Sequence, residues 1–283
     1  MNFRSRFWGL FAGTSLFLST LTACFSGSGD LATATPPDSS LGDPANPVVA
    51  SNFSRDVLLF NGTGVSTSDW QATEQMISGQ GWSYALVNSA ELNAMSLEEI
   101  ASYRVIVIPG GKGGTITASL TEATRLKVRQ AVRDRGVGYV GFCAGAWVAV
   151  GPEASGDQVA SYGLAVAPGA ILPSYYPGGD TSQTAAIVPV TLSSGETRQL
   201  VWWGGPSTPE WAGGVIGRYV TGEPAISQTW SGAGLVVISG PHPEAPQSWR
   251  STAGFDSDGL DQDLAVAMIH AAMNRQPYTG PLH

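Results

Sequence analysis

The chain has 283 residues, of which 43% are apolar and only 13% charged, with 36 glycines and 18 prolines. This composition supports a sizeable core and excludes global disorder, and the length suits one large domain with appendages. The formal charge of -8 disfavours non-specific binding to nucleic acid or anionic lipid, and no basic run follows the first few residues.

Arg4 and Arg6 precede an apolar stretch from Phe7 to about Leu21, which is too short for a membrane-spanning helix. It ends in Leu21-Thr22-Ala23-Cys24. The segment resembles a bacterial lipoprotein signal with its lipobox. That resemblance implies a signal peptide over 1–23, cleavage before Cys24, and a diacylglyceryl anchor on the Cys24 thiol. Phe25, rather than Asp, follows, which points to the outer membrane. The alternative is an ordinary secretory signal with an incidental cysteine. Residues 24–54 are rich in Ser, Gly, Ala, Pro and Asp and read as a lipid-anchored flexible tether. The implied location is the bacterial cell envelope, with the folded domain outside the cytoplasm.

Residues 55–283 read as that domain. Asp56–Phe60 is an apolar run entering Asn61-Gly62, hence a buried strand and a loop. A helix is expected from Asp69 to Ser78, with Ser68 as N-cap, Gln71 completing a capping box, and Gly79 at its end. Trp82–Val87 is a second strand. Val105–Ile108 is β-branched throughout and predicts a buried parallel strand stopping at Pro109-Gly110-Gly111, followed by a flexible Lys112-Gly113-Gly114. Thr121–Arg135 is an amphipathic helix closed by Gly136. Gly138–Gly141 is a strand running into Phe142-Cys143-Ala144-Gly145. From Gly151 to Trp230 the rhythm changes to short Thr/Val runs broken by Pro and Gly, which suits inserted hairpins. Gly234–Ile238 is the last strong strand, and Leu260–Asn274 a terminal helix. Strands alternating with helices predict an α/β, flavodoxin-like doubly wound parallel sheet with a hairpin-rich insertion. Ligands in such sheets bind beyond the strands' C-terminal ends.

Three motifs fall at those ends. Gly141-Phe-Cys143-Ala-Gly145 is the thiol form of a nucleophile elbow, a sharp strand-to-helix turn that pushes the nucleophile into the cleft. Gly141 and Gly145 are small because backbones approach closely there, and the helix opening at Ala144 favours thiolate. A small buried cysteine between glycines is the competing reading of this motif alone. Ser239-Gly-Pro-His242-Pro-Glu244 follows the last strand. In extended chain, residues two apart face the same way, so Glu244 can orient the His242 ring toward the thiol. Glu244 is expected to be less exposed than most acids. Gly110 and Gly111, with the N–H of Ala144, are candidate oxyanion-hole donors; the competing reading is a plain turn. Trp147, Trp202, Trp203, Tyr175 and Tyr176 are expected to serve packing more than the pocket. Lys112 reads as a solvated loop lysine, and His270 sits among apolar helix neighbours. With Cys143 assigned, no cluster has metal-ligand spacing, and no cofactor is expected.

In order along the chain stand Asn61-Gly62-Thr-Gly64, Pro109-Gly110-Gly111, Gly141–Ala146, Gly156-Asp157, Pro168-Gly169, Pro177-Gly178, Trp203-Gly204-Gly205 and Ser239–Glu244. This set resembles the class I glutamine amidotransferase superfamily and, within it, the biotin-protein-ligase N-terminal-like family. The resemblance spans essentially residues 55–275. No ligase, ATP-binding or synthase part accompanies it, so ligase activity is not implied. The expectation is an envelope-tethered cysteine hydrolase that cleaves a carboxamide, γ-glutamyl or peptide amide through a thioester. Its partners would be a small-molecule or peptide amide and the membrane, with no nucleic acid. A non-catalytic ligand- or partner-binding lipoprotein using the same cleft is the competing expectation, and a protease or stress-protein relative of the same sheet type is a third.

Overall fold

A computed structural model describes residues 52–151 and 163–280. The signal segment, Cys24, the tether up to residue 51, Gly156-Asp157 and His283 lie outside the described residues. In chain order the elements are β1 (Arg55–Phe60), α1 (Thr67–Gly79), β2 (Tyr84–Val87), α2 (Ser89–Ala94), α3 (Leu97–Ile100), β3 (Tyr103–Ile108), α4 (Gly113–Ser119), α5 (Glu122–Arg135), β4 (Gly138–Phe142), α6 (Ala144–Ala149), β5 (Val150–Gly151) and β6 (Ala167–Pro168). They continue with β7 (Ala186–Leu192), β8 (Thr197–Trp202), β9 (Val215–Tyr219), β10 (Pro224–Ser231), β11 (Gly234–Ser239), α7 (Arg250–Ala253) and α8 (Gln262–Asn274).

One nine-stranded sheet carries the fold, in the order β2-β1-β3-β4-β11-β10-β9-β7-β8. The first five strands are parallel, and their order is that of a flavodoxin-like doubly wound sheet. Consecutive strand residues face opposite sides. Val57, Leu59, Val105 and Val107 therefore pack with the helix α8 side chains, while Leu58, Phe60, Ile106 and Ile108 pack with α4, α5 and α6. Both faces are covered, and Val105 to Ile108 are fully buried, each contributing about 1.5–3 kcal/mol.

The region read as inserted hairpins differs in one respect. Its strands β7 to β10 do form antiparallel pairs, but they extend the main sheet beyond β11. The reason is β10, whose ladder with β11 runs over six residue pairs from Ile226↔Ser239 to Ser231↔Gly234.

Two local expectations are corrected. Helix α1 starts at Thr67 with Ser66 as N-cap, so Ser68 is not the cap; its hydroxyl lies 3.0 Å from that of Ser66. The Ser66 N–H is tied to the Gly110 carbonyl at 3.0 Å, and this tertiary bond sets the chain's entry. Gly113-Gly114, expected to be flexible, open helix α4, which Ile116 anchors by complete burial. The segment between β2 and β3 forms α2 and α3, each opened by a capping box, with Asn88 and Glu91 in one and Ser96 and Glu99 in the other. Thr121 caps α5 as its position suggests, and Gly136 ends it at φ 73°. Among the described residues no helix is long and apolar enough to cross a membrane.

Candidate active site at the strand ends

Cys143 is the residue between β4 and α6, and its backbone holds φ 47° and ψ -101°. A non-glycine residue at positive φ is costly and is kept only where the surroundings over-determine it. Here the surroundings are close backbone contacts. A Cβ on Gly145 would lie 1.9 Å from the Ile108 carbonyl oxygen, and one on Gly141 would lie 2.5 Å from the Gly145 carbonyl carbon. The Cys143 N–H donates to the Ser239 carbonyl at 2.8 Å, fastening the elbow to the end of β11. Cys143 is the one free cysteine among the described residues. Its Sγ lies 3.6 Å from the Trp203 carbonyl oxygen, its hydrogen-bond acceptor.

The β11 end delivers the imidazole. The His242 N–H donates to the Val201 carbonyl at 2.7 Å, so the end of β8 fixes the loop. His242 Nδ1 lies 2.8 Å from Glu244 Oε1. Glu244 has no exposure at all, so this acid serves the ring and not the solvent. Nε2 has no hydrogen-bond partner, and it belongs to a ring that lines one cavity with Cys143. The ring of Trp249 packs edge-on at 5.2 Å from the His242 ring, and Trp203 packs on Trp249 at 6.0 Å.

A second acid completes this cluster, and its sequence position did not mark it. Asp69, in the first turn of α1, is 5% exposed, and its Oδ1 lies 3.4 Å from His242 Nδ1. Gly110 makes the room: a Cβ there would stand 2.1 Å from Asp69 Oδ1 and 2.7 Å from His242 Cε1. Gly110 is thus a spacer between β3 and the acid–imidazole pair, with its carbonyl engaged by Ser66. Gly111, at φ 150°, lines the cavity beside Cys143, and Ala144 supplies a first-turn N–H that has no acceptor within its own helix.

Asp69, His242 and Glu244 place their donor atoms within 4.8 Å of one another, a grouping that their sequence spacing hides. The 2.8 Å contact between His242 and Glu244 is a hydrogen-bond distance. Burial alone would lower the His242 pKa, but the negative charges of Glu244 and Cys143 outweigh it and hold the imidazole well above its ordinary range. Burial raises the Glu244 pKa, His242 opposes that rise, and Asp69 adds to it.

The aromatic expectations divide. Trp202 is 1% exposed and packs against Tyr175, which stacks on Tyr219 at 3.6 Å, so these are core residues. Trp147 and Trp203 line cavities at Cys143. Trp249, Ser66 and Ser68 also line the cleft, and no sequence motif marked any of them as a site residue. His270 lies in α8 and lines no cavity with Cys143 among those described.

Fold and site together define a doubly wound α/β protein with a buried Cys–His–carboxylate cluster at the ends of its parallel strands. Residues 55–152 match the family described as biotin-protein ligase, N terminal. That stretch holds Asp69, Gly110, Gly111 and Cys143, while His242 and Glu244 lie beyond it. Among solved structures the chain is similar to a glutamine amidotransferase, with 19% identity, a TM-score of 0.47, and coverage of 66% of this chain and 90% of that one. It is also similar to a glutamine amidotransferase from Thermotoga maritima, with 11% identity, a TM-score of 0.45, and coverage of 78% and 90%. A cytoplasmic protein from Salmonella typhimurium gives 13% identity, a TM-score of 0.47, and coverage of 77% and 98%. No curated protein matches the chain.

Proposed function

We propose that the chain is a glutamine-amidotransferase-like cysteine hydrolase that cleaves an amide through a thioester, with Cys143 as nucleophile. The observation that carries this reading is the 2.8 Å bond from His242 to a fully buried Glu244, in a ring that shares a cavity with a cysteine held at φ 47°. A buried carboxylate on Nδ1 fixes the tautomer and leaves Nε2 for the substrate.

In this mechanism Cys143 Sγ attacks the carbonyl carbon and the C–O electron pair moves onto oxygen. The N–H groups of Gly111 and Ala144 receive that oxyanion. His242 Nε2 gives its proton to the amide nitrogen, the C–N bond breaks, and the amine leaves the thioester behind. The neutral His242 then takes a proton from water, which attacks the thioester and returns the acid and the thiolate. Glu244 orients the ring through both halves, and Asp69 is a second positioning carboxylate on the same nitrogen. The test is a screen of glutamine, γ-glutamyl and peptide amides for ammonia or amine release, comparing wild type with Cys143→Ala. Release by wild type alone is the expected result, and equal release by both proteins removes the reading.

One observation favours a non-catalytic cleft: Cys143 Sγ has the Trp203 carbonyl as acceptor, and His242 Nε2 has no partner of hydrogen-bond geometry, although Cys143 stands near enough to raise the His242 pKa. Iodoacetamide alkylation across pH separates the two readings. An alkylation profile unchanged by His242→Ala supports the binding cleft and speaks against an activated nucleophile. On sequence grounds alone we further propose anchoring in the cell envelope through acyl chains on Cys24. Metabolic palmitate labelling that survives Cys24→Ala would remove that proposal.

A further inference from the structure

Cys143 opens on two cavities that share Gly111 and Trp203. The first, about 530 Å³, holds His242, Asp69, Ser66, Ser68 and Lys112. The second, about 370 Å³, is lined by Gly113, Gly114, Thr117, Trp147 and Val148, and among the described residues that line it Cys143 is the one ionisable side chain.

We propose that the substrate is an N-substituted amide whose uncharged acyl group fills the second cavity and whose amine carries a carboxylate into the first. This rests on the hydrolase reading of Cys143. A carbonyl carbon seated at Sγ sends its acyl substituent and its nitrogen in diverging directions, so each takes its own cavity. The nitrogen belongs on the His242 side, because a general acid must reach the atom it protonates. Ammonia is the size of a water molecule, whose share of liquid volume is about 30 Å³. A leaving-group cavity of about 530 Å³ is far larger than a primary carboxamide needs.

Charge assigns the two occupants. An uncompensated charge in the second cavity would lose its hydration without a partner, so the acyl group is neutral. In the first, the Lys112 side chain makes no ion pair among the described residues, and its backbone N–H is fixed to the Gly64 carbonyl at 2.8 Å. The hydroxyls of Ser66 and Ser68, 3.0 Å apart, stand in the same cavity. An ammonium with neighbouring hydroxyls recognises a carboxylate. The reaction is amide plus water giving carboxylic acid plus free amine, with no oxidant or cofactor.

The test uses the purified chain with four probes: N-benzoylglycine, N-ethylbenzamide (the neutral-amine analogue), N-acetylglycine (a small acyl group) and benzamide (no amine substituent). The expected kcat/KM for N-benzoylglycine exceeds that for each of the others at least about tenfold, the scale at which pocket contacts discriminate. Lys112→Gln should lower it for N-benzoylglycine and not for N-ethylbenzamide. Gly114→Leu fills the second cavity at a position where an added Cβ meets nothing within 4 Å, so it should lower the ratio of N-benzoylglycine to N-acetylglycine turnover. Benzamide cleaved as fast as N-benzoylglycine, or Lys112→Gln affecting both benzoyl amides equally, overturns the proposal. Turnover of 4-nitrophenyl acetate by wild type and not by Cys143→Ala would leave the hydrolase reading standing in that case. Loss of both signals would remove the two together.

Discussion

Strands β1, β3, β4 and β11 are parallel neighbours in one half of the sheet, and the turns at their C-terminal ends deliver Asp69, Gly110, Cys143 and His242 to one place. Strands β7 to β10 continue the same sheet antiparallel, and of their turns the one after β8 brings Trp203 and its carbonyl to the thiol. The difference is geometric. Parallel strands with crossover helices collect successive chain turns at one edge, whereas an antiparallel meander alternates its turns between two edges. The parallel half therefore gathers the thiol, the imidazole and the two carboxyl groups, and the antiparallel half supplies a wall. The matched family stretch, residues 55–152, also falls within the parallel half.

Substitutions in the two halves should then differ in kind. The largest effect is expected from Glu244→Gln, which removes the buried charge on His242 Nδ1. Amide turnover should fall on the order of 10³- to 10⁴-fold, as when a triad acid is neutralised. The His242 pKa should fall as well, because a charge that raises it is gone, and an NMR titration of the ring reads this directly. Retained turnover would mean that the β11 turn is not the catalytic end of the sheet.

Asp69→Asn comes next. Its contact at 3.4 Å is a charge–charge approach with no hydrogen bond, so the expected loss is only about tenfold, equivalent to about 1.4 kcal/mol. Because Asp69 raises the Glu244 pKa, the acid limb of the pH–rate profile should also move to lower pH. A rate loss without that movement would mark Asp69 as a packing residue only.

Trp203→Ala probes the antiparallel half. The carbonyl facing Sγ belongs to the backbone and stays, while the indole wall is lost. KM should rise about fivefold, equivalent to about 1 kcal/mol, with kcat little changed. A collapse of kcat instead would place chemistry in both halves.

The smallest effect concerns a brace outside the cleft. Arg250 donates to the Ala245 carbonyl at 3.0 Å, just past Glu244, and pairs with Asp256 and Asp261. Burial, aided by the charge of Asp258 and opposed by Arg250, pushes Asp261 up to about 7. A carboxyl raised above its ordinary 3.8 holds its proton more tightly folded than unfolded. Its stabilisation is complete below about 3.8 and is lost as the pH rises through about 7. Asp261→Asn should flatten that part of the curve of Tm against pH. An unchanged slope would assign the brace to Arg250 with Asp256 alone.

The sequence by itself determined the parallel strands, because continuous β-branched runs such as Val105–Ile108 have no stable place except between two covered faces. It also determined that Cys143, His242 and Glu244 share the strand ends, since each follows a recognisable strand and the elbow glycines leave no space for side chains. Only the tertiary structure decided the rest. Asp69 is a helix residue distant in sequence from His242, and its contact depends on the space above Gly110. Ser66 became the cap through the Gly110 carbonyl, Gly113-Gly114 became helical through the burial of Ile116, and β10 joined the hairpins to the main sheet by pairing with β11. The Asp69–His242 and Ser66–Gly110 contacts join segments far apart in the chain, and local pattern carries no record of such contacts, whereas β10 and β11 form a short hairpin closed at Ser231↔Gly234.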